Sequence, residues 1–256
     1  PGNLIIPIEA TPIDEASNYT FYDYIKNLSS NQTIDLGVTP NSTMEMEMTF
    51  MITANINESQ YYAGARNGST TTSPLWFGLS SSTSEDQTVG VRNFRAYVYC
   101  NNTGDASQYV TSGSMTREQN VKYRQRIKLE SDPTDANKVR GQVTFEKLGT
   151  NGNAVQIVTA TSNSVQKTVF DNVSQHIFIF GLGANRQPDG MKIYSYKIWN
   201  DGTLIHNFVA AKKTAGDNTG IGVYDMVSNS NNFIRTDNVG NNENGTTNTT
   251  FVVGND

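Results

Sequence analysis

"MKIYSYKIWNDGTLIHNFVAA", residues 191–211, decides the fold. Its first arm reads as a strand with aromatic residues crowded along it (Tyr194, Tyr196, Trp199). It breaks at Asn200, Asp201 and Gly202, and a second apolar run follows. Asn, Asp and Gly tolerate the positive φ that tight hairpin turns demand, so the stretch predicts a β-hairpin.

The same period-two signal recurs outward from this hairpin. In "MEMEMTFMIT", Met44, Met46, Met48 and Phe50 share one face, and Glu45, Glu47 and Thr49 the other. Such alternation marks a half-buried strand. "NVKYRQRIKLE" alternates too, with Val121, Tyr123, Ile127 and Leu129 inward and Lys122, Arg124, Arg126 and Lys128 outward. "HIFIFGLG" is apolar on both faces, which predicts a central strand covered on both sides. "IDEASNYTFYDYIKNL" predicts a short helix; no helical periodicity follows residue 30, and no repeat of 20–50 residues is visible. Many short strands with turn signals between them predict an all-β protein, with two antiparallel sheets in a jelly-roll sandwich. The expected organisation is an extended N-terminal arm, residues 1–18, and one sandwich domain, residues 19–256.

Composition narrows the function classes. The 256 residues are only 17% charged, so the polar surface comes from Asn, Ser, Thr and Gly, which favour turns. A net charge of −5 argues against a nucleic-acid binder. Cys100 stands alone, so no internal disulfide forms, and one cysteine with two histidines argues against structural zinc. No stretch has the length of a membrane helix. The opening "PGNLIIPIEATPIDEAS" lacks the basic and long apolar regions of a signal peptide. Either a signal was removed or none existed, and the missing disulfides favour the second. Asn-x-Ser/Thr triplets at Asn18, Asn27, Asn41, Asn67 and Asn172 are what an Asn/Thr-rich chain yields by chance. In the arm, Pro7 and Pro12 keep the backbone extended around Leu4, Ile5, Ile6 and Ile8. That is either a frayed end or a peptide that docks on a neighbouring subunit, and its apolar content favours docking.

Several stations, in order, resemble the concanavalin A-like, laminin-G-type jelly roll of tailed-phage virion proteins and gut-bacterial surface proteins. They are "TIDLGVTPNS" (Thr33–Ser42), "MEMEMTF", Gly64-Ala65-Arg66, "FIFGLGAN", the hairpin itself, and "GVYDMV" (Gly222–Val227). Leu36, Asn207 and Ala210-Ala211 depart from the family pattern, and residues 100–170 carry no station. The resemblance implies a jelly roll whose late hairpin runs back across the sandwich.

Candidate chemistry is sparse. Glu45 and Glu47 share a strand face, as paired glycosidase carboxylates do, but no third acid follows, and a solvent-facing strand edge is the favoured reading. No Gly-x-Ser-x-Gly elbow exists, and His176 and His206 read as packing residues. "GLGANRQPDG" precedes no helix and reads as a rim loop, not a phosphate loop. Lys122, Arg124, Arg126 and Lys128 either grip carboxylates of a neighbouring subunit or form a solvated edge. No cofactor is called for, although relatives hold calcium in rim loops, where Asp132, Asp135 and Asp225 are the candidates. Trp76, Trp199 and Tyr194 are candidate glycan platforms, though strand aromatics usually serve the core. The resemblance therefore implies a non-enzymatic virion protein on the particle exterior, in capsid decoration or fibre. It would dock to other virion subunits through the arm and the basic strand, without nucleic acid or membrane, and with a cell-surface glycan as a further partner. The alternative it implies is a carbohydrate-binding module of a bacterial surface protein.

Overall fold

The computed structural model describes residues 18–28, 33–54, 60–66, 75–81, 93–100, 109–171, 173–181, 190–216, 219–228, 232–236 and 251–256. The arm residues Leu4, Ile5, Ile6 and Ile8 lie outside them. Among the described residues, eighteen strands and one helical turn follow in chain order. The first are β1 (Tyr19–Phe21), β2 (Tyr24–Asn27), β3 (Ile34–Asp35), β4 (Met44–Ile52), β5 (Gln60–Arg66) and β6 (Leu75–Ser81). Next come β7 (Asn93–Cys100), β8 (Tyr109–Thr116), β9 (Lys122–Ser131), β10 (Lys138–Leu148), β11 (Ala154–Thr161) and β12 (Val165–Gln166). After the turn α1 (Lys167–Asp171), the chain closes with β13 (Phe178–Ile179), β14 (Met191–Asn200), β15 (Thr203–Lys213), β16 (Gly220–Asp225), β17 (Phe233–Arg235) and β18 (Phe251–Gly254).

Two sheets form an all-β antiparallel sandwich. The first runs β11-β10-β9-β4-β14-β15-β16-β17, joined at its margins by β1, β2, β12 and β18; the second runs β3-β13-β5-β6-β7-β8. The hairpin forms where the sequence places it. Asn200 pairs with Thr203, and Asp201 and Gly202 turn with φ of 48° and 76°. Two consecutive positive φ values are the signature of the type I′ turn, whose twist matches that of paired strands.

The expected alternation of β4 and β9 is also present. Met44, Met46, Met48, Phe50 and Ile52 are buried between the sheets, as are Tyr123, Ile127 and Leu129. Phe50, Tyr62, Phe94 and Tyr123 build an aromatic cluster there, with Phe94 and Tyr123 ring centroids 4.6 Å apart. Rings at such separations add about 0.5–1.5 kcal/mol per pair beyond their burial.

Three local expectations are corrected. Residues 19–21 and 24–27 are strands rather than a helix: β1 pairs with β15, and β2 with β14 and β18. Their Tyr, Thr, Phe and Ile content suits a pleated surface better than a helix interior. β4 is central, between β9 and β14, so Glu45 and Glu47 lie on no edge. "HIFIF" is buried throughout Ile177–Phe180 and sits between β3 and β5, but its strand is two residues long. Phe180 has φ of 65°, which turns the backbone out of the ladder.

Gln125 occupies an inward position of β9, opposite Met48 and Phe145. It is 1% exposed, and neither its amide nitrogen nor its oxygen has a hydrogen-bond partner. An unsatisfied buried polar group costs about 1–3 kcal/mol. Gln125→Leu is expected to raise stability by about that amount, read as a higher urea midpoint at unchanged slope. Burial pushes the Tyr123 hydroxyl up to about 12, outweighing the Glu118 amide hydrogen bond, and burial also raises Tyr196. Both side chains therefore favour the folded state fully below their ordinary value of 10.0, and that preference declines as pH rises from 10.0 toward the folded values. Alkaline unfolding followed by near-ultraviolet circular dichroism is expected to begin above that value and to shift upward in Tyr123→Phe.

Candidate functional site

Sequence-predicted site residues fall into three places. On the outer face of the first sheet, the basic row of β9 finds its counterparts within the same sheet. Arg126 Nε donates to Glu45 Oε1 at 2.6 Å, Arg124 meets Glu146 at 3.4 Å, and Lys122 meets Asp256 at 3.5 Å while lying 3.7 Å over the Tyr194 ring. Lys128 stands opposite Glu45 in register. Glu47 meets Lys197 at 3.8 Å. Glu45 and Glu47 are thus each held against a cation of a neighbouring strand. Trp199 lies beside Glu45 in register, with the Arg126 guanidinium 5.5 Å from its ring. Nothing is described of the Trp76 side chain.

The second place is the β9–β10 turn. Asp132 Oδ1 accepts from the Thr134 amide and hydroxyl and the Asp135 amide, and its other oxygen accepts from the Ser164 hydroxyl. Those bonds, Ser164 first, hold its carboxyl well below the usual range. Asp135 pairs with Lys138 at 3.4 Å. Asp225 is in another part of the sheet. Among the described residues no three His, Cys, Asp or Glu side chains converge as a metal site.

The third place joins Asp225, a calcium candidate in the sequence, to His206, which reads there as a packing residue; the pairing of the two has no counterpart in the sequence reading. Asp225 ends β16 and stands opposite Phe208 of β15. His206 lies two residues before Phe208, on the same strand face, and stacks on its ring at 5.4 Å and 14°. This diagonal brings His206 Nδ1 to 2.6 Å from Asp225 Oδ2. Asp225 is 3% exposed, and its Oδ1 accepts from the Asn207 and Val227 amides at 2.8 and 3.1 Å. Burial alone would raise its carboxyl; the His206 bond and the two amides outweigh burial and hold it below its ordinary value. An ionised, fully bonded carboxylate on Nδ1 fixes the imidazole tautomer and leaves Nε2 as the basic nitrogen.

His206 and Asp225 line a groove of about 360 Å³ where the two sheets open at one end. Leu36, Val38, Phe208 and Ile234 give it apolar walls, and Thr39 and Ser228 add hydroxyls. No cation lines it. A second groove of about 350 Å³, on the outer face between β10 and β11, is lined by Gln142, Thr144, Thr159 and Thr161 and carries no titratable group. The other histidine, His176, also pairs through Nδ1, with both oxygens of Asp35 at 3.0 Å. It is not among the residues lining the first groove. Both histidines were expected to be packing residues. Each is instead held by an aspartate.

No family model matches the chain, and no curated protein matches it. Solved structures do. Scytalido-glutamic peptidase with a transition-state analogue inhibitor is 12% identical, over 75% of this chain and 92% of that chain, with a TM-score of 0.40. The same peptidase with a peptide-based transition-state analogue is 13% identical over 76% and 92%, at a TM-score of 0.38. SCP-B, a member of the eqolisin family of peptidases in a complex with a tripeptide, is 12% identical over 78% and 92%, at 0.34. These likenesses are to enzymes, and they overturn the expectation of a non-enzymatic virion component or carbohydrate-binding module, which is withdrawn. At such identities and scores they carry no catalytic residue, substrate or activity to this chain.

The depressed Asp225 carboxyl has a consequence for stability. Its contribution is complete above the ordinary value of 3.8 and is lost as pH falls below 3.8 toward the folded value. Urea midpoints measured from neutral pH down into acid are expected to fall in that window, and to fall less steeply in Asp225→Asn, which starts from a lower midpoint.

Proposed function

We propose that the protein is an acyl hydrolase acting in the groove at the open end of the sandwich. The observation that carries this reading is the Asp225–His206 pair at 2.6 Å, with its imidazole on the wall of a groove that also holds the Ser228 hydroxyl. Asp225 orients His206 and stabilises the imidazolium that forms during reaction. His206 Nε2 takes the proton of Ser228 Oγ as Oγ bonds to the substrate carbonyl carbon. Collapse of the tetrahedral adduct breaks the bond to the leaving group, which takes the proton from His206. Water then repeats the sequence, with His206 again as base, and releases the acid and free Ser228. The Thr39 hydroxyl is the donor within the groove for the developing oxyanion. The Leu36, Val38, Phe208 and Ile234 walls suit a largely apolar acyl group, the Asp225 carboxylate being bonded to His206, and the volume is at the small end of ligand pockets.

The test is hydrolysis of p-nitrophenyl butyrate with its pH profile. Wild type is expected to turn over, and His206→Ala to lose about 10²-fold or more. Asp225→Asn should lose rate with little change in KM, and Ser228→Ala should abolish labelling by a fluorophosphonate probe. His176→Ala should retain full rate, because its pair with Asp35 stands outside the groove lining. Equal rates in wild type and His206→Ala would remove the proposal.

A further inference from the structure

Scattered apolar side chains are ordinary on a protein surface, whereas contiguous ones mark interaction sites. Among the described residues, Phe21, Leu28 and Val252 face solvent singly, and Val155 and Ile157 alternate along β11. Met226, 41% exposed, and Val227, 36% exposed, are consecutive. They occupy the step between Asp225 and Ser228, both of which line the groove, and neither lines it itself. Their backbone is tied down. The Met226 amide donates to the Asn207 carbonyl at 2.9 Å, and the Val227 amide to Asp225 Oδ1 at 3.1 Å. The carboxylate that orients His206 therefore also fixes two water-facing apolar side chains beside the groove.

We propose that Met226 and Val227 form an acyl-chain rim, and that the substrate class is esters of medium-chain fatty acids, whose chain outruns the groove; this rests on the hydrolase reading of that groove. The groove holds about 360 Å³, which it shares between apolar walls and the polar groups of the reaction. A short acyl group is contained between Leu36, Val38, Phe208 and Ile234. A longer one emerges, and the apolar surface next to Ser228 in the chain is Val227 and Met226. The unbranched thioether of Met226 adapts to a chain without fixed shape. Each methylene fully withdrawn from water is worth about fourfold in affinity, and a rim covering one side of the chain gives part of that. The contacts are the same before and during reaction, so they act on KM rather than on kcat.

Kinetics on the p-nitrophenyl esters of butyrate, hexanoate and octanoate, each below its micelle concentration, test the rim. In wild type, kcat/KM is expected to rise about tenfold or more from butyrate to octanoate, chiefly through KM. Met226→Ser with Val227→Ser should flatten that rise. Both side chains are exposed and both tethers use main-chain amides, so this double variant is expected to keep the wild-type thermal midpoint. Val155→Ser with Ile157→Ser, which removes apolar exposure from β11 instead, should keep the rise. Calorimetric binding of methyl hexyl ketone, which has no leaving group, separates the rim from the chemistry. The double variant is expected to bind it about fivefold more weakly or worse. That weakening, alongside equal hydrolysis by wild type and His206→Ala, would keep the rim and remove the hydrolase reading. A chain-length rise or a ketone affinity that the double variant leaves at the wild-type value would overturn the rim, whatever His206→Ala shows.

Discussion

The structure depends on the register of β14. This strand pairs with β4 on one side and β15 on the other, and β2 joins its near end. A slip of one residue would carry every side chain to the opposite face. Met191, Ile193, Tyr196 and Ile198 would leave the core, and His206 and Phe208 would follow through the hairpin. Two local devices oppose a slip. The Asp201–Gly202 turn accepts only residues that tolerate positive φ, and the irregularity between Ile198 and Trp199 compensates for the turn within the ladder. The histidine meets its aspartate because a turn fixes β15 against β14, while β16 pairs with the far side of β15.

Charge on the outer face reinforces the same register at little energetic gain. Glu45 with Arg126, Glu47 with Lys197, Arg124 with Glu146 and Arg140 with Glu130 all bridge neighbouring strands. The more exposed of these pairs contribute about 0–1 kcal/mol each, whereas Glu45 is buried and depends on Arg126 as its partner. Their larger effect is on alternatives. A two-residue shift between β9 and β10 would set Arg140 opposite Lys128 instead of Glu130, and like charges across strands are unfavourable. Arg126, Arg124 and Lys122 of β9 acquire their counterparts from β4, β10 and Asp256, which reduces the repulsion that like charges along one face would otherwise carry.

Period two made much of this legible. The faces of β4 and β9 and the hairpin turn follow from residue order alone, because each is a local pattern with one physical cause. Gln125 escaped notice since alternation assigns it to the inward row, while its chemistry gives no reason to be there. The strands at Tyr19–Phe21 and Tyr24–Asn27 were hidden because pairing with β15 and β14 lies almost two hundred residues away. The His206–Asp225 pair spans only 19 residues and was hidden because it depends on the register of β15 against β16, which no local pattern gives. The one local signal was an aspartate closing the apolar run Gly-Ile-Gly-Val-Tyr-Asp, a polar end on a buried strand that must find a partner.

A sandwich leaves its two ends as the places where inner-face residues reach water. Along the middle of the sheets, an inward side chain meets the opposite sheet and must be apolar or, like Gln125, bear a cost. Where Leu36–Thr39 faces β15 and β16, the same inward row reaches the groove, and His206 and Asp225 line it beside Phe208. Burial on one side and water on the other give an ionised carboxylate that is fully hydrogen-bonded and an imidazole that is held but accessible. Fold class is indifferent to what is built there, since one sandwich accommodates many chemistries. The resemblance of strand patterns led toward a virion role because strand patterns report the sheets, while function depends on a few residues that such patterns do not report.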